Sequence, residues 1–276
     1  MSRLIIHTAQ LDAAQLEIIT LKLGAPQKKA NHYQINDVQI AKPELQALSQ
    51  QLKIDLNLLP DNFVAEKVKL VISDMDSTLI SIECIDEIAD MMNLKAQVSE
   101  ITEAAMRGEL VFEQSLTQRV ALLTNLETKA LERVYDERLT LNPGAQSCLD
   151  GLKQKNIKFA LVSGGFDFFT ERLKQRLTLD YARANKLAVE NNKLTGKVEG
   201  AIIGAQAKAD FLHELCNELN ITPNQVIAIG DGANDLLMMK AAGLSIAYQA
   251  KPKVQLEADT ALNFSGLNAL LDFVDA

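Results

Sequence analysis

Residues 68–78 read VKLVISDMDST, a continuous apolar run that ends abruptly in two carboxylates, Asp74 and Asp76, and two hydroxyls. A run without polar alternation predicts a strand over 68–73 covered on both faces, and so a place at the centre of a parallel sheet. Residues 157–162 (IKFALV) and 226–230 (VIAIG) repeat the pattern, and 244–248 and, more weakly, 260–264 supply outer strands. From about residue 157 onward such runs alternate with helical patterns, as strand–helix–strand units do. The expected fold class is α/β, a Rossmann-like parallel sheet with helices on both faces.

More than eighty residues separate the first two central strands, whereas a crossover with its helix needs about a dozen or somewhat more. Residues 142–155 suffice for that helix, with Ala145, Leu149 and Leu152 on one face. The surplus, 81–141, reads as an inserted helical cap. Ile85, Ile88, Ala89 and Met92 recur at helical spacing, as do Phe112, Leu116 and Val120. The first 66 residues hold an apolar run at 4–6, a helical pattern over 11–23, an extended piece over 32–40 and a helix over 44–52. They make a small N-terminal α/β domain whose accessory role rests on position alone. The expected division is 1–66, a catalytic core of 67–80 with 142–276, and the cap 81–141. Residues 186–199 alternate around Asn191-Asn192 and predict a hairpin.

The 276 residues are 47% hydrophobic and 23% charged, which excludes a disordered or fibrous chain. Lys and Arg total 28 against 36 acidic residues, a net charge of −8, so polyanions are repelled and no nucleic-acid partner is expected. Cys84, Cys148 and Cys216 are widely spaced, with neither a disulfide framework nor a zinc knuckle. The N-terminus lacks a leader-like apolar stretch, and no run approaches the roughly 18 apolar residues of a membrane span. The expectation is a cytoplasmic protein without a membrane partner, with a homo-oligomer left open. Only His7, His32 and His213 are present, so any metal must be held by carboxylates.

Asp74 and Asp76 fall at the carboxyl end of a buried strand, where open parallel sheets bind ligands. Two acids so close require a cation nearby or a retained proton. One could attack phosphorus while the other protonates the leaving oxygen and later activates water; the same residues would also serve as a helix-capping turn. Gly230-Asp231-Gly232-Ala233-Asn234-Asp235 ends the third central strand. Its hard oxygen donors suit magnesium and lack the spacing of a calcium loop, and a plain strand-to-helix turn has the same composition. Ser163-Gly164-Gly165-Phe166 offers a hydroxyl and successive N–H groups at a helix start, an anion site or a turn. Lys208 precedes Phe211, Leu212, Leu215 and Leu219, and reads either as an oxyanion partner or as a solvated lysine. All four pieces together point to phosphate chemistry. A serine hydrolase built on Ser163 and His213 fits poorly, because LVSGG is not G-x-S-x-G.

The series D-x-D-S-T, S-G-G, K and G-D-x-x-N-D resembles that of the haloacid dehalogenase superfamily. Residues 74–89 (DMDSTLISIECIDEIA), 103–123 (EAAMRGELVFEQSLTQRVALL), 162–167 (VSGGFD), 194–200 (LTGKVEG) and 230–243 (GDGANDLLMMKAAG) are similar to its phosphoserine phosphatases. The resemblance covers about residues 68–270. It implies a Mg2+-dependent hydrolysis of O-phospho-L-serine through an aspartyl phosphate, the last step of serine biosynthesis. The alternative is a relative acting on another small phosphate ester or transferring phosphoryl to an alcohol. Asp74 would be the nucleophile and Asp76 the general acid and base. Magnesium would rest on the Asp74 carboxylate, the Asp76 carbonyl and Asp231, with Asp235 behind them. Ser163, the Gly164 amide and Lys208 would hold phosphoryl oxygens, with Gly165 in the same loop and Asn234 close by. Glu83 and Arg119 would meet the substrate's amino and carboxylate groups, and Met106 and Phe112 would close over them. A phosphoamino acid does carry a cation and an anion remote from phosphorus, and the planar fork of arginine suits a carboxylate. Without the resemblance, Glu83 and Arg119 would read as two surface helix charges.

Overall fold

The computed structural model describes residues 2–106 and 109–276, the side chain of Met106 excepted. In β1 (Arg3–Ile6) the alternation of a strand sorts the side chains. Leu4 and Ile6 pack with Ile19 of α1 (Ala13–Leu23) and with Leu45 and Leu48 of α2 (Lys42–Leu52), while Ile5 joins the main core. Asp12 and Gln15 cap α1 reciprocally. With β2 (Gln27–Lys28), β3 (Tyr33–Asn36) and β4 (Leu56–Leu59), β1 forms an antiparallel sheet ordered β2-β3-β1-β4.

The larger sheet consists of β5 (Leu70–Ser73), β6 (Lys158–Phe166), β7 (Tyr181–Glu190), β8 (Lys193–Glu199), β9 (Val226–Gly230), β10 (Leu244–Tyr248) and β11 (Thr260–Leu262). Their order is β11-β10-β9-β5-β6-β7-β8, and every neighbouring pair is parallel except the hairpin β7–β8. That hairpin turns at Asn191 and Asn192, both with positive φ (49° and 61°), as a tight turn matching strand twist requires.

Between β5 and β6 stand α3 (Cys84–Met91), α4 (Lys95–Met106), α5 (Phe112–Ala121) and α6 (Lys129–Glu137). The chain leaves and re-enters the sheet side by side there. Ile80 bridges Leu141, and Ser81 N–H donates to Thr140 O at 3.0 Å. On one face of the sheet Val71, Leu161 and Ile229 pack with α7 (Ala145–Gln154), α8 (Asp167–Leu177) and, further along the chain, α12 (Leu270–Val274). On the other, Leu70, Ile72 and Val162 pack with α9 (Ala205–Leu219), α10 (Leu236–Ala241) and α11 (Pro252–Glu257). The chain is thus an α/β protein with helices on both faces of a mostly parallel sheet. Among the described residues no helix is long and apolar enough to cross a membrane.

Several strands differ from expectation: β7 starts at Tyr181 rather than 186, and β4 has no counterpart among the expected elements. β5 starts at Leu70 rather than 68, because Ala65–Lys67 form a 3₁₀ turn that Val68 N–H closes. β6 continues past 162 to Phe166. β11 ends at Leu262 rather than 264, because the N–H groups of Asn263, Phe264 and Ser265 turn to the buried Asp55 carboxylate at 2.8–3.0 Å. Beside them the Asn57 amide donates to and accepts from the Ala261 backbone, each at 2.8 Å. At the β11 edge of the larger sheet the N–H and C=O of Ala261 are thereby paired by a side chain of the N-terminal unit.

Candidate active site

Asp74 follows β5 directly, and its N–H donates to Ile229 O of β9 at 3.0 Å. The position places its carboxylate at the carboxyl edge of the sheet, between the ends of β9 and β6. Lys208, one turn into α9, is fully buried; its Nζ donates to Asp74 Oδ1 at 2.6 Å and to Asp235 Oδ1 at 2.7 Å. A solvated surface lysine is therefore ruled out. Asp235 also accepts from Gly232 N–H at 3.0 Å, and Thr78 donates to Asp231 at 3.3 Å.

The charges do not balance locally. Burial alone would lower the Lys208 pKa, but Asp235 and Asp74 overcome it and hold the ammonium above the usual lysine range. Burial and then the charge of Asp235 push Asp74 well up, against the pull of Lys208. Burial, Asp235 and Glu83 raise Asp231 to about 6. Oxygen atoms of Asp74, Asp231 and Asp235 lie within 4.8 Å of one another. Three carboxylates facing one ammonium, all hard oxygen donors, fit a divalent cation that prefers oxygen.

Asp76 is placed differently. Its Oδ1 accepts from Cys84 N–H, at the start of α3, at 3.0 Å. Burial first, then the charge of Glu83, raises its pKa to about 7. Two carboxyls two residues apart thus have separate environments: Asp74 is paired with the lysine ammonium, and Asp76 accepts from a helix-start N–H. Immediately after Asp76, Ser77 adopts a left-handed φ of 55°, a conformation uncommon outside glycine and asparagine and concentrated at functional turns. Its hydroxyl donates to Glu83 Oε1 at 2.7 Å.

The glycine loop after β6 reaches the same place. A Cβ on Gly165 would lie 2.8 Å from Asp76 Oδ2 and 3.0 Å from Ser163 Oγ. Gly165 N–H donates to Ser163 Oγ at 2.8 Å, and an oxygen accepting in this way still has its proton to give. Gly165→Ala is expected to displace the Asp76 carboxyl and lower kcat about a hundredfold, the order associated with a misplacement near 1 Å, with little change in melting temperature. Steady-state kinetics and a thermal melt would check it.

Phe112 opens α5, and its ring lies against Gly164, whose Cβ would meet Phe112 Cζ at 2.7 Å. Arg119 is partly buried, with Nε donating to Ser115 O at 3.3 Å. Burial lowers its pKa, and Asp86, Glu83 and Asp76 counter this, so Glu83 and Arg119 share one electrostatic neighbourhood with Asp76. Glu83 is open to solvent at its edge, yet desolvation still holds its carboxyl above its ordinary range. Asn234 is half-buried in the turn that carries Asp235, its Oδ1 lying 2.3 Å from where a Gly232 Cβ would sit. The Met106 side chain lies outside the described residues. Three contacts had no counterpart in the sequence reading: Thr78 on Asp231, Cys84 N–H on Asp76, and Asn185, which binds the Gly164 carbonyl. Thr78 was visible as part of DMDST; the other two depend on tertiary placement.

An edge of this kind suits holding a phosphoryl group against a carboxylate while a neighbouring carboxyl supplies a proton, which is the work of an α/β phosphatase or phosphotransferase. Comparison narrows that class. The family model for haloacid dehalogenase-like hydrolases matches residues 68–243. A phosphoserine phosphatase from Polaromonas sp. is 48% identical over 224 residues, 79% of this chain and 95% of the relative. Among solved structures, a HAD family hydrolase from Salmonella enterica serovar Typhi superposes with a TM-score of 0.91 at 35% identity, covering 100% of this chain and 99% of that one. A probable phosphoserine phosphatase from Vibrio cholerae gives 0.85 at 37% identity, over 99% and 86%. The chain belongs to the haloacid dehalogenase-like hydrolases, and within them to the phosphoserine phosphatase family.

Proposed function

We propose that this enzyme hydrolyses O-phospho-L-serine to L-serine and phosphate, in the cytoplasm, with Mg2+ as its cation. The observation that carries the reading is the placing of two neighbouring carboxyls, Asp74 bound to the buried Lys208 ammonium and Asp76 accepting from Cys84 N–H beside the Ser163 loop. Asp74 attacks phosphorus and becomes an acyl phosphate as the bond to the serine oxygen breaks. Asp76 gives its proton to that oxygen. As a carboxylate it then takes a proton from the water that hydrolyses the acyl phosphate, which frees Asp74 and returns Asp76 to its starting state. Lys208, the Ser163 hydroxyl and the Gly164 N–H offset charge on the phosphoryl oxygens. Asp74, Asp231 and the Asp76 carbonyl would hold Mg2+, with Asp235 behind them, and the bound ion adds positive charge against those oxygens. Glu83 takes the substrate ammonium and Arg119 its carboxylate, while Phe112 and Met106 close the pocket. Residues 81–141 serve as the cap, 67–80 with 142–276 as the catalytic core, and 1–66 as an accessory unit.

Phosphate release from phosphoserine, phosphothreonine, phosphotyrosine and sugar phosphates tests this. Phosphoserine is expected to lead, with activity lost in EDTA and restored by Mg2+; a preference for a sugar phosphate, or full activity in chelator, would sink it. The pH profile supplies a separate check. Because the Asp76 pKa is raised to about 7, the acid form is present below that pH and is lost as pH rises through it. For phosphoserine, kcat/KM is expected to fall on that limb. With p-nitrophenyl phosphate, whose leaving group needs no proton, the limb is expected to flatten.

A further inference from the structure

We propose that Asn185 is a positioning residue that sets the Ser163 hydroxyl for phosphoryl transfer by holding the Gly164 peptide in one orientation. The proposal rests on the reading of the Ser163 loop as a phosphoryl holder. Its origin is a register shift. β6 pairs with β7 through Val162 and Arg183, and again through Phe166 and Asn185, so four steps along β6 match two along β7. The intervening residues, Ser163-Gly164-Gly165, three against one on β7, arch out of the ladder as in a bulge. Arching takes the Gly164 carbonyl out of the ladder, and a polar backbone group in such a place needs a partner. Asn185 stands where pairing resumes, is 1% exposed, and donates from Nδ2 to Gly164 O at 2.8 Å.

One rigid unit links that bond to the chemistry. The carbonyl of Gly164 and the N–H of Gly165 belong to the same trans peptide and point opposite ways. Fixing the carbonyl therefore fixes the N–H, which donates to Ser163 Oγ at 2.8 Å. That bond occupies a lone pair of the hydroxyl and directs where its proton can go. The other arm of Asn185 accepts from Ile203 N–H at 2.8 Å. Ile203 immediately precedes Gly204, the residue that caps α9, and Lys208 N–H closes the first turn on Gly204 O at 3.1 Å. A single buried amide thus joins the hydroxyl loop to the start of the helix that carries the ammonium.

A double-mutant cycle between Asn185→Ala and Ser163→Ala tests the proposal, reading kcat, KM, the affinity for inorganic phosphate by calorimetry, and the melting temperature. Asn185→Ala alone is expected to lower kcat by about 30-fold and weaken phosphate binding by about tenfold, somewhat less than removal of an oxyanion donor itself. In the Ser163→Ala background the same change is expected to cost under about threefold further, because both act through one hydroxyl. Losses that multiply in full, or a lowered melting temperature with unchanged kcat and phosphate affinity, would overturn the proposal and leave Asn185 a structural tether. If Ser163→Ala alone leaves turnover and phosphate binding intact, the reading of the loop fails instead. Should Asn185→Ala not fold, Asn185→Ser takes its place in the cycle, and failure of both to fold also decides for a tether.

Discussion

Asp74→Asn is expected to abolish turnover, by on the order of 10⁴-fold or more, in a protein that still folds. The amide is isosteric with the carboxylate, and its oxygen can go on accepting from Lys208 Nζ, a bond of 2.6 Å in the wild type. Asp235 remains as the charged partner of the lysine. What the amide lacks is a nucleophilic oxygen able to form the acyl phosphate. A melting temperature close to wild type, with no phosphate released beyond background, is the expected outcome. Retained multiple turnover would dismiss Asp74 as nucleophile.

Lys208→Met is expected to damage both stability and catalysis. The ammonium is sealed from solvent between Asp74 and Asp235, and breaking a buried pair by removing one partner costs about 3–5 kcal/mol. At roughly 2–4 °C per kcal/mol for a large domain, the melting temperature should drop by about 10 °C. The pH dependence has a definite sign. Burial already raises the Asp74 carboxyl, and loss of the lysine raises it further. A carboxyl with a raised folded-state pKa makes the native state bind more protons than the unfolded state, so stability declines as pH rises. The deficit relative to wild type should be smaller near pH 5 than near pH 8. Melts at both pH values would check this, and an equal deficit would show that the two carboxylates do not depend on the lysine for charge.

Much of the site could be read from the chain because its residues sit at the ends of continuous apolar strands, and a strand's end is locally encoded. Lys208 was partly legible too. Its company with the three acidic and glycine-rich strand ends singled it out, while its burial follows from preceding Phe211 and Leu212 by three and four residues, on their buried face of α9. Asn185 was not legible, since its role follows from how β6 and β7 are registered, and register is a pairing property that neither strand states alone. Nor was the early end of β11. The apolar text continues to Phe264, but Asp55, some two hundred residues earlier in the chain, captures the backbone that would have extended the strand.

With the outward N–H and C=O of Ala261 held by a side-chain amide, another backbone cannot pair at that point of the sheet without displacing it. Asn57 supplies that amide, so the first part of the chain blocks one of the two edges of the sheet at Ala261, and β8 lies at the other. A chain lacking residues 1–66 would leave those two backbone groups of Ala261 without that partner.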